Sequence, residues 1–102
     1  MIFDILTIFP SMVAGPIKES IIGKAIEKKL IEVRIVNIRD YATDPHRTTD
    51  DRPFGGGSGM VMKPGPLAAA IDSIRQADPA VRVILLSPQG RLFKQEVAFE
   101  LN

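Results

Sequence analysis

The first 38 residues alternate between apolar runs and one amphipathic stretch. Residues Ile2–Phe9 form a β-rich, near-continuous apolar run that Pro10 ends, and such runs are typical of strands buried on both faces of a parallel sheet. From Pro16 to Leu30, apolar residues recur at helical spacing while lysines occupy the other face. Residues Ile31–Ile38 then alternate with the period of a strand. The pattern predicts a β-α-β unit.

The second part of the chain repeats this alternation after a long irregular segment. Residues 39–66 have little periodicity, and a loop of this length is usually functional or disordered. Helical spacing then covers Pro66–Gln76, an apolar strand pattern covers Val81–Leu86, and a further helical pattern covers Phe93–Leu101. Strands alternating with helices predict an α/β fold with a mostly parallel sheet flanked by helices. Ligands of such sheets bind beyond the carboxyl ends of the strands.

The composition narrows the class of protein. The chain has 102 residues, 45% of them hydrophobic, and a formal net charge of +1, which argues against disorder and gives no global charge signature of nucleic-acid binding. It contains no cysteine, which excludes disulfide scaffolds and thiol nucleophiles. No apolar run approaches the length of a membrane span, and the N-terminus lacks a basic leader, so we expect a cytoplasmic protein.

The end of the chain suggests a part of a larger domain. The last predicted helix has no glycine cap or closing element after it, and the sheet is small for its helices. We therefore expect the chain to be a fragment of something longer, with a flexible glycine-rich loop at about residues 44–64.

The richest candidate for chemistry is the segment from Asp44 to Met60, which contains Gly55-Gly56-Gly57-Ser58-Gly59. Glycines allow a backbone to approach a ligand closely, but the spacing matches neither common nucleotide-binding glycine motif. The glycines alone therefore do not distinguish a loop that contacts a ligand from a flexible surface loop.

Individual polar residues in this segment are ambiguous by themselves. His46 is the only histidine, so a structural role is a more frequent outcome than catalysis. Asp50 and Asp51 are adjacent, so their side chains point apart in extended backbone. A structural role, as a helix cap or in an ion pair, and a role in substrate binding are equally open for them. Arg47 and Arg52 are plausible phosphate contacts.

A second candidate follows the apolar run Val81–Leu86. Backbone groups of Ser87-Pro88-Gln89-Gly90, freed at a strand end, could bind a ligand's adenine or carboxylate. The alternative is a strand-to-helix turn in which Ser87 caps the next helix.

Three stretches together resemble one family. They are Ile8-Phe9-Pro10, the run His46-Arg-Thr-Thr-Asp-Asp-Arg-Pro-Phe-Gly-Gly-Gly-Ser-Gly-Met60, and Leu85-Leu-Ser-Pro-Gln-Gly90. In identity, order and spacing they are similar to the bacterial tRNA (guanine-N(1)-)-methyltransferases of the TrmD type, which belong to the SPOUT superfamily of trefoil-knot methyltransferases. The resemblance implies methyl transfer from S-adenosylmethionine to N(1) of guanosine 37 of tRNA in a homodimeric, cytoplasmic enzyme, with a possible dependence on Mg²⁺.

The resemblance also implies a division of labour between the two candidate segments. The implied cofactor-binding residues are Leu85, Leu86, Ser87, Pro88, Gln89 and Gly90, and the implied guanine- and tRNA-binding residues are His46, Asp50, Arg52, Ser58 and Gly59. It implies that residues 1–102 are the N-terminal part of a single S-adenosylmethionine-dependent methyltransferase domain. It implies no catalytic residue and no metal ligand within these residues, because the family's general-base aspartate, the segment that completes the knot and the C-terminal tRNA-binding domain are expected beyond Asn102.

Two departures from the family pattern concern side chains only. Ser58 stands where proline is frequent, and Leu85 stands where an aromatic residue is frequent.

The competing hypotheses about function are a non-catalytic RNA-binding or adaptor domain and a truncated, inactive fragment.

Overall fold

The computed structural model describes all residues, 1–102. In chain order its elements are β1 (Ile2–Thr7), α1 (Pro10–Ala14), α2 (Ser20–Glu27), β2 (Glu32–Asn37), β3 (Asp50–Asp51), β4 (Val61–Met62), α3 (Pro64–Ala77) and α4 (Gln95–Leu101), with 3₁₀ turns at Pro16–Lys18 and Ile38–Tyr41. Helices alternate with strands, and the α/β class predicted from the sequence is confirmed.

Strands β1 and β2 form the parallel pair that the sequence predicts. Their register runs from Ile2 beside Glu32 to Thr7 beside Asn37, so both carboxyl ends lie at one edge. Asp4 and Arg34 are directly paired, and the guanidinium donates two hydrogen bonds of 2.6 Å to the carboxylate. The expected burial of β1 on both faces is wrong here, because nothing covers its first residues, which are exposed.

The connection between these strands differs from the single helix predicted over Pro16–Leu30. Glu19 is extended and Ser20 has a φ of +57°, which separates the 3₁₀ turn at Pro16–Lys18 from α2. Gly23 explains why the turn can fold against the helix: a Cβ there would lie 2.2 Å from the Lys18 carbonyl oxygen. The apolar residues of the 3₁₀ turn and of α2 follow one continuous helical spacing, so hydrophobic periodicity does not detect the break between the two elements.

The best-packed region lies where β2 leads into the Ile38–Tyr41 turn. Ile38 is 2% exposed, and Ala70 on α3 is fully buried. The Tyr41 hydroxyl lies 2.8 Å from Ser73 Oγ, which donates to the carbonyl of Ala70 at 2.8 Å. Because that serine proton is used on Ala70, Tyr41 is the donor to Ser73. These bonds hold the start of the long loop against α3.

Part of the segment predicted to be irregular, residues 39–66, is ordered by a short ladder. Strands β3 and β4 pair in antiparallel fashion, with Asp50 beside Met62 and Asp51 beside Val61. The Lys63 amide extends this pairing by donating to the Thr49 carbonyl at 2.7 Å. Two-residue strands are too short to produce a detectable alternation of polar and apolar residues. Helix α3 follows directly, beginning two residues before its predicted start.

The strand predicted over Val81–Leu86 does not form. The segment makes no ladder with β1 or β2, and its apolar side chains from Val83 onward are exposed, at 79% for Leu85 and 89% for Leu86. A β-rich composition stabilises a strand only where a neighbouring strand takes up the backbone hydrogen bonds, and no such neighbour lies beside this segment. The helix predicted at Phe93–Leu101 is confirmed, with its start at Gln95.

Candidate functional site

A tight turn presents His46 at the surface. The Arg47 amide donates to the Asp44 carbonyl at 3.0 Å, which closes the turn around Pro45 and His46. The Asp44 carboxylate accepts from the Thr48 amide at 2.9 Å and from its hydroxyl at 2.6 Å. The Thr48 hydroxyl, then the Thr48 amide, and also the charge of Lys63, lower the pKa of Asp44 below its ordinary value. The turn is therefore held by a carboxylate that stays ionised, and His46 is exposed on it.

Arg47 connects this turn to the preceding 3₁₀ turn. Its Nε donates to the Arg39 carbonyl at 3.3 Å, and Arg39 Nη1 donates to the Arg47 carbonyl at 3.5 Å. Arg47 also forms an ion pair with Asp40. Its φ of +51° lies in the left-handed region that non-glycine residues rarely adopt. These contacts fix the direction in which the loop leaves the carboxyl edge of the strand pair.

The glycine-rich tip adopts a conformation that other residues would resist. Gly55, Gly56, Gly57 and Gly59 all have φ between +82° and +117°. A Cβ at any of them would meet no atom within 4 Å, so the requirement for glycine is the backbone conformation rather than crowding. The tip is exposed, and apart from the Gly56 amide, which donates to the Pro53 carbonyl at 3.2 Å, its amides are accessible to a ligand.

The side chains predicted to bind RNA lie along this same loop. Asp50 is half-buried in the β3–β4 ladder, whereas the side chains of Arg52 and Ser58 are exposed, and Arg52 forms no ion pair. Phe54 is fully exposed at the tip. Phe54 is not among the predicted site residues, although an aromatic residue between proline and glycine in a polar loop is the signal that could have identified it.

The second candidate segment, Leu85–Gly90, ends in a compact turn. The Gly90 amide donates to the Ser87 carbonyl at 3.1 Å, and the Gln89 amide donates to Ser87 Oγ at 3.2 Å. Ser87 therefore caps its own turn, and the alternative that it caps the following helix is wrong, because α4 begins only at Gln95. The backbone groups of Leu85 and Leu86 take part in no intramolecular hydrogen bond.

Helix α4 is bonded to both sides of this segment. Arg82 donates to the carbonyl of Glu100 at 2.9 Å, and Arg91 donates to the Glu100 carboxylate at 2.7 and 3.4 Å. The hydrogen bonds and charge of Arg91 lower the pKa of Glu100, and the same contact raises the pKa of Arg91. Both groups are therefore charged at neutral pH.

The structure keeps the two candidate segments separate. No hydrogen bond or ion pair joins residues 44–62 to residues 85–90. Two clefts of about 380 Å³ lie elsewhere, beside the start of β1, and neither is lined by a predicted site residue. No group of three or more His, Cys, Asp or Glu side chains lies close enough together to hold a metal ion. None of the helices has both the length and the apolar character of a membrane-spanning segment.

Comparison with known proteins identifies the family. The family model "tRNA (Guanine-1)-methyltransferase TrmD" matches residues 1–102. A tRNA (guanine-N(1)-)-methyltransferase of Geobacter sulfurreducens is 55% identical over 101 residues, which cover 99% of this chain and 41% of the relative. A protein of the same name from Chloroflexus aggregans is 55% identical over 102 residues, covering 99% of this chain and 40% of the relative.

A solved structure agrees with these sequence matches. The crystal structure of tRNA (m1G37) methyltransferase from Aquifex aeolicus superimposes with a TM-score of 0.87 at 33% identity, covering 99% of this chain and 45% of that one. This likeness confirms the expected fold, the N-terminal portion of a SPOUT methyltransferase domain. The chain spans about two fifths of the length of the curated relatives it matches. It belongs to the tRNA (guanine-1)-methyltransferase TrmD family.

Proposed function

We propose that this chain contributes to the transfer of a methyl group from S-adenosylmethionine to N(1) of guanosine 37 in tRNA. One observation carries the proposal: the two loops whose geometry suits ligand contact are the two longest stretches in which the sequence resembles the family. One has unpaired backbone groups beside apolar side chains at Leu85–Gly90, and the other has exposed left-handed glycines at Gly55–Gly59.

The segment Leu85–Gly90 fits one wall of a site for S-adenosylmethionine. Leu85 and Leu86 combine exposed apolar side chains with free backbone donors and acceptors, which is the combination that an adenine ring requires from a pocket. The turn at Ser87–Gly90 holds these groups without a regular strand. When bound, S-adenosylmethionine supplies an electrophilic methyl group. The chain's own contribution is to bind and orient it.

The loop at residues 44–64 is assigned to the guanine and the surrounding tRNA. His46 and Arg52 offer exposed donors, and Ser58 and Gly59 offer accessible backbone groups at the tip. Phe54 adds an exposed aromatic face, which is the surface on which proteins stack unpaired bases. We propose that this loop becomes fully ordered only on tRNA, since its glycines favour many backbone conformations.

The chemistry assigned to these residues is positioning. Methyl transfer needs the ring nitrogen of guanine in line with the methyl group, and holding two reactants in that geometry supplies a large part of the rate enhancement. Removal of the ring proton requires a general base. We assign that base to a part of the methyltransferase outside these residues. We further propose that the active form is a homodimer and that it acts in the cytoplasm, where its tRNA substrate is found.

The test uses what we call the completed protein: this chain joined to the part of the Geobacter sulfurreducens relative that lies outside the matched region. The completed protein is incubated with labelled S-adenosylmethionine and a tRNA transcript that carries guanosine at position 37. A matched transcript with adenosine there is the control. We expect label at N(1) of guanosine 37 in the first transcript and none in the second.

Two other results would contradict the proposal. RNA binding without methyl transfer would favour the non-catalytic RNA-binding domain. Equal labelling of both transcripts would assign a different target base.

A further inference from the structure

One acidic residue holds both ends of the segment assigned to the cofactor. Arg82 lies just before Leu85–Gly90 and donates to the backbone carbonyl of Glu100 at 2.9 Å. Arg91 lies directly after the segment, and its two terminal nitrogens donate to the two carboxylate oxygens of the same glutamate at 2.7 and 3.4 Å. The ten residues from Arg82 to Arg91 therefore form a loop closed at Glu100.

We propose that Glu100, through Arg82 and Arg91, is a positioning residue that clamps the backbone of Leu85–Gly90 in its cofactor-binding conformation. The inference rests on the proposed function for the identity of the ligand. Glu100 does not touch that ligand; it acts through the two arginines.

The segment needs such a clamp because it lacks the usual restraint of a strand. Its only internal hydrogen bonds lie in the Ser87–Gly90 turn, and Leu85 and Leu86 have none. A loop that is ordered before binding loses less conformational entropy when the ligand arrives, so preorganisation raises affinity. The clamp fixes the ends of the loop while leaving the backbone groups of its middle free for a ligand.

The clamp combines one contact to the main chain of α4 with one contact to a side chain. The Arg82 guanidinium donates to the Glu100 carbonyl, which gives the start of the segment a fixed partner. The two-point contact between Arg91 and the carboxylate adds directional restraint. Side chains of both residues are more than half exposed, which makes the pair weak on its own. Its effect is therefore expected on a local segment rather than on the whole fold.

The experiment compares Glu100→Gln with Glu96→Gln in the completed protein. Glu96 is the matched control because it lies on the same helix, is exposed and forms no ion pair. We expect Glu100→Gln to raise the Kd for S-adenosylmethionine about two- to fivefold, as loss of an exposed pair allows. The Kd for tRNA stays within about twofold, and Glu96→Gln changes neither constant. Isothermal titration calorimetry measures both.

A charge swap separates the clamp from a general effect on the fold. In the double variant Arg91→Glu with Glu100→Arg, the pair is restored in reverse, and we expect affinity for S-adenosylmethionine to return toward that of the unsubstituted protein. ¹⁵N relaxation without ligand adds a readout independent of binding. Order parameters at Leu85 and Leu86 fall in Glu100→Gln and are retained in Glu96→Gln.

Three results would overturn the clamp. They are an unchanged affinity for S-adenosylmethionine in Glu100→Gln, an equal loss for S-adenosylmethionine and tRNA, and unchanged order parameters. Failure of the unsubstituted completed protein to bind S-adenosylmethionine would instead contradict the proposed function and, with it, the role of the clamp in cofactor binding.

Discussion

At the scale of single residues, two neighbouring threonines have opposite environments. The Thr48 hydroxyl donates to Asp44 at 2.6 Å, whereas the Thr49 hydroxyl is buried with no partner, in a residue 1% exposed. An ionised acceptor makes the first contact favourable, and a buried hydroxyl without a partner is unfavourable. Replacing Thr48 therefore tests the contact with Asp44, and replacing the neighbouring Thr49 is the control.

The first prediction concerns the acid dependence of this turn. The pKa of Asp44 is lowered in the folded chain, so its contribution to stability is present above its ordinary value of 3.8 and is lost as the pH falls through the lower folded pKa. Thr48→Val removes the largest cause of that shift. We expect the pKa of Asp44 to rise toward 3.8, while Thr49→Val leaves it unchanged.

Carbon NMR titration of labelled aspartate in the completed protein measures this pKa. Thermal unfolding adds a second readout: the difference in Tm between Thr48→Val and the unsubstituted protein narrows as the pH is taken below 3.8. An Asp44 pKa that is the same with and without the Thr48 hydroxyl would contradict the assigned cause.

The second prediction tests the division of labour between the two loops. Ser87→Leu removes the acceptor of the Gln89 amide and adds bulk to the segment assigned to S-adenosylmethionine, and such overpacking costs about 1–3 kcal/mol. We expect a roughly tenfold to hundredfold weaker affinity for S-adenosylmethionine and a smaller change for tRNA. Gly59→Ala is expected to do the reverse, because its φ of +87° is strained for alanine in the loop assigned to tRNA.

Calorimetric titration of S-adenosylmethionine and of tRNA into both variants of the completed protein measures these affinities and tests the assignment of the two loops. If Ser87→Leu left the affinity for S-adenosylmethionine intact while Gly59→Ala abolished it, the assignment of the two loops would be wrong.

At the scale of secondary-structure elements, Gly23 gives the third prediction. Replacing a helical glycine by alanine usually stabilises a protein by up to about 1 kcal/mol. At Gly23 the new Cβ would lie 2.2 Å from the Lys18 carbonyl oxygen, so the 3₁₀ turn must move. We expect Gly23→Ala to lower the free energy of unfolding by about 1–3 kcal/mol.

Gly65 provides the matched control for this substitution. It lies in the first turn of α3, and apart from its chain neighbours a Cβ there meets no atom within 4 Å. Gly65→Ala is expected to lower the free energy of unfolding less than Gly23→Ala, because its new Cβ is crowded only by the ring of the following Pro66, as measured by urea unfolding of the completed protein. If both substitutions changed the free energy of unfolding equally, the close approach to Lys18 would not explain why residue 23 is glycine.

The elements also show what the sequence could and could not predict. The pattern identified β1, β2, α3 and α4 because each has a continuous periodicity of its own. It missed the break at Ser20, which depends on one backbone dihedral angle. It also missed the β3–β4 ladder, which depends on pairing across nine intervening residues. It placed a strand at Val81–Leu86 because local composition carries no information about whether a neighbouring strand is present.

The candidate site was predictable to a similar degree. The glycine motif and the Leu85–Gly90 motif were recognisable from their residues, since identity and spacing are properties of the sequence. The contacts of Glu100 with Arg82 and Arg91 were not, because they join residues 9 and 18 positions apart through the placement of α4. Long-range side-chain contacts of this kind emerge only from the fold.

At the scale of the whole molecule, the chain exposes far more surface than a closed domain of its size. Its accessible area is 8407 Å², whereas a compact monomer of this mass exposes about 5,700 Å². Its radius of gyration is 15.8 Å, against about 13 Å for a compact chain of this length. Only five residues are buried, and the exposed ones include Leu85, Leu86, Phe93 and Phe99. The stability of these residues by themselves is therefore expected to be low.

The last prediction follows from this excess of surface. The segment assigned to S-adenosylmethionine has no strand beside it, and the loop assigned to tRNA makes no hydrogen bond with it, so the 102 residues alone do not assemble a site in which the two ligands meet. We expect no methyl transfer to unmodified tRNA from this chain by itself and clear transfer from the completed protein. The comparison uses equal molar amounts and the same labelled S-adenosylmethionine, with circular dichroism to report whether the separate chain is folded. Robust methyl transfer by the separate chain would mean that these residues hold a complete active site, and the assignment of the general base to another part of the methyltransferase would be wrong.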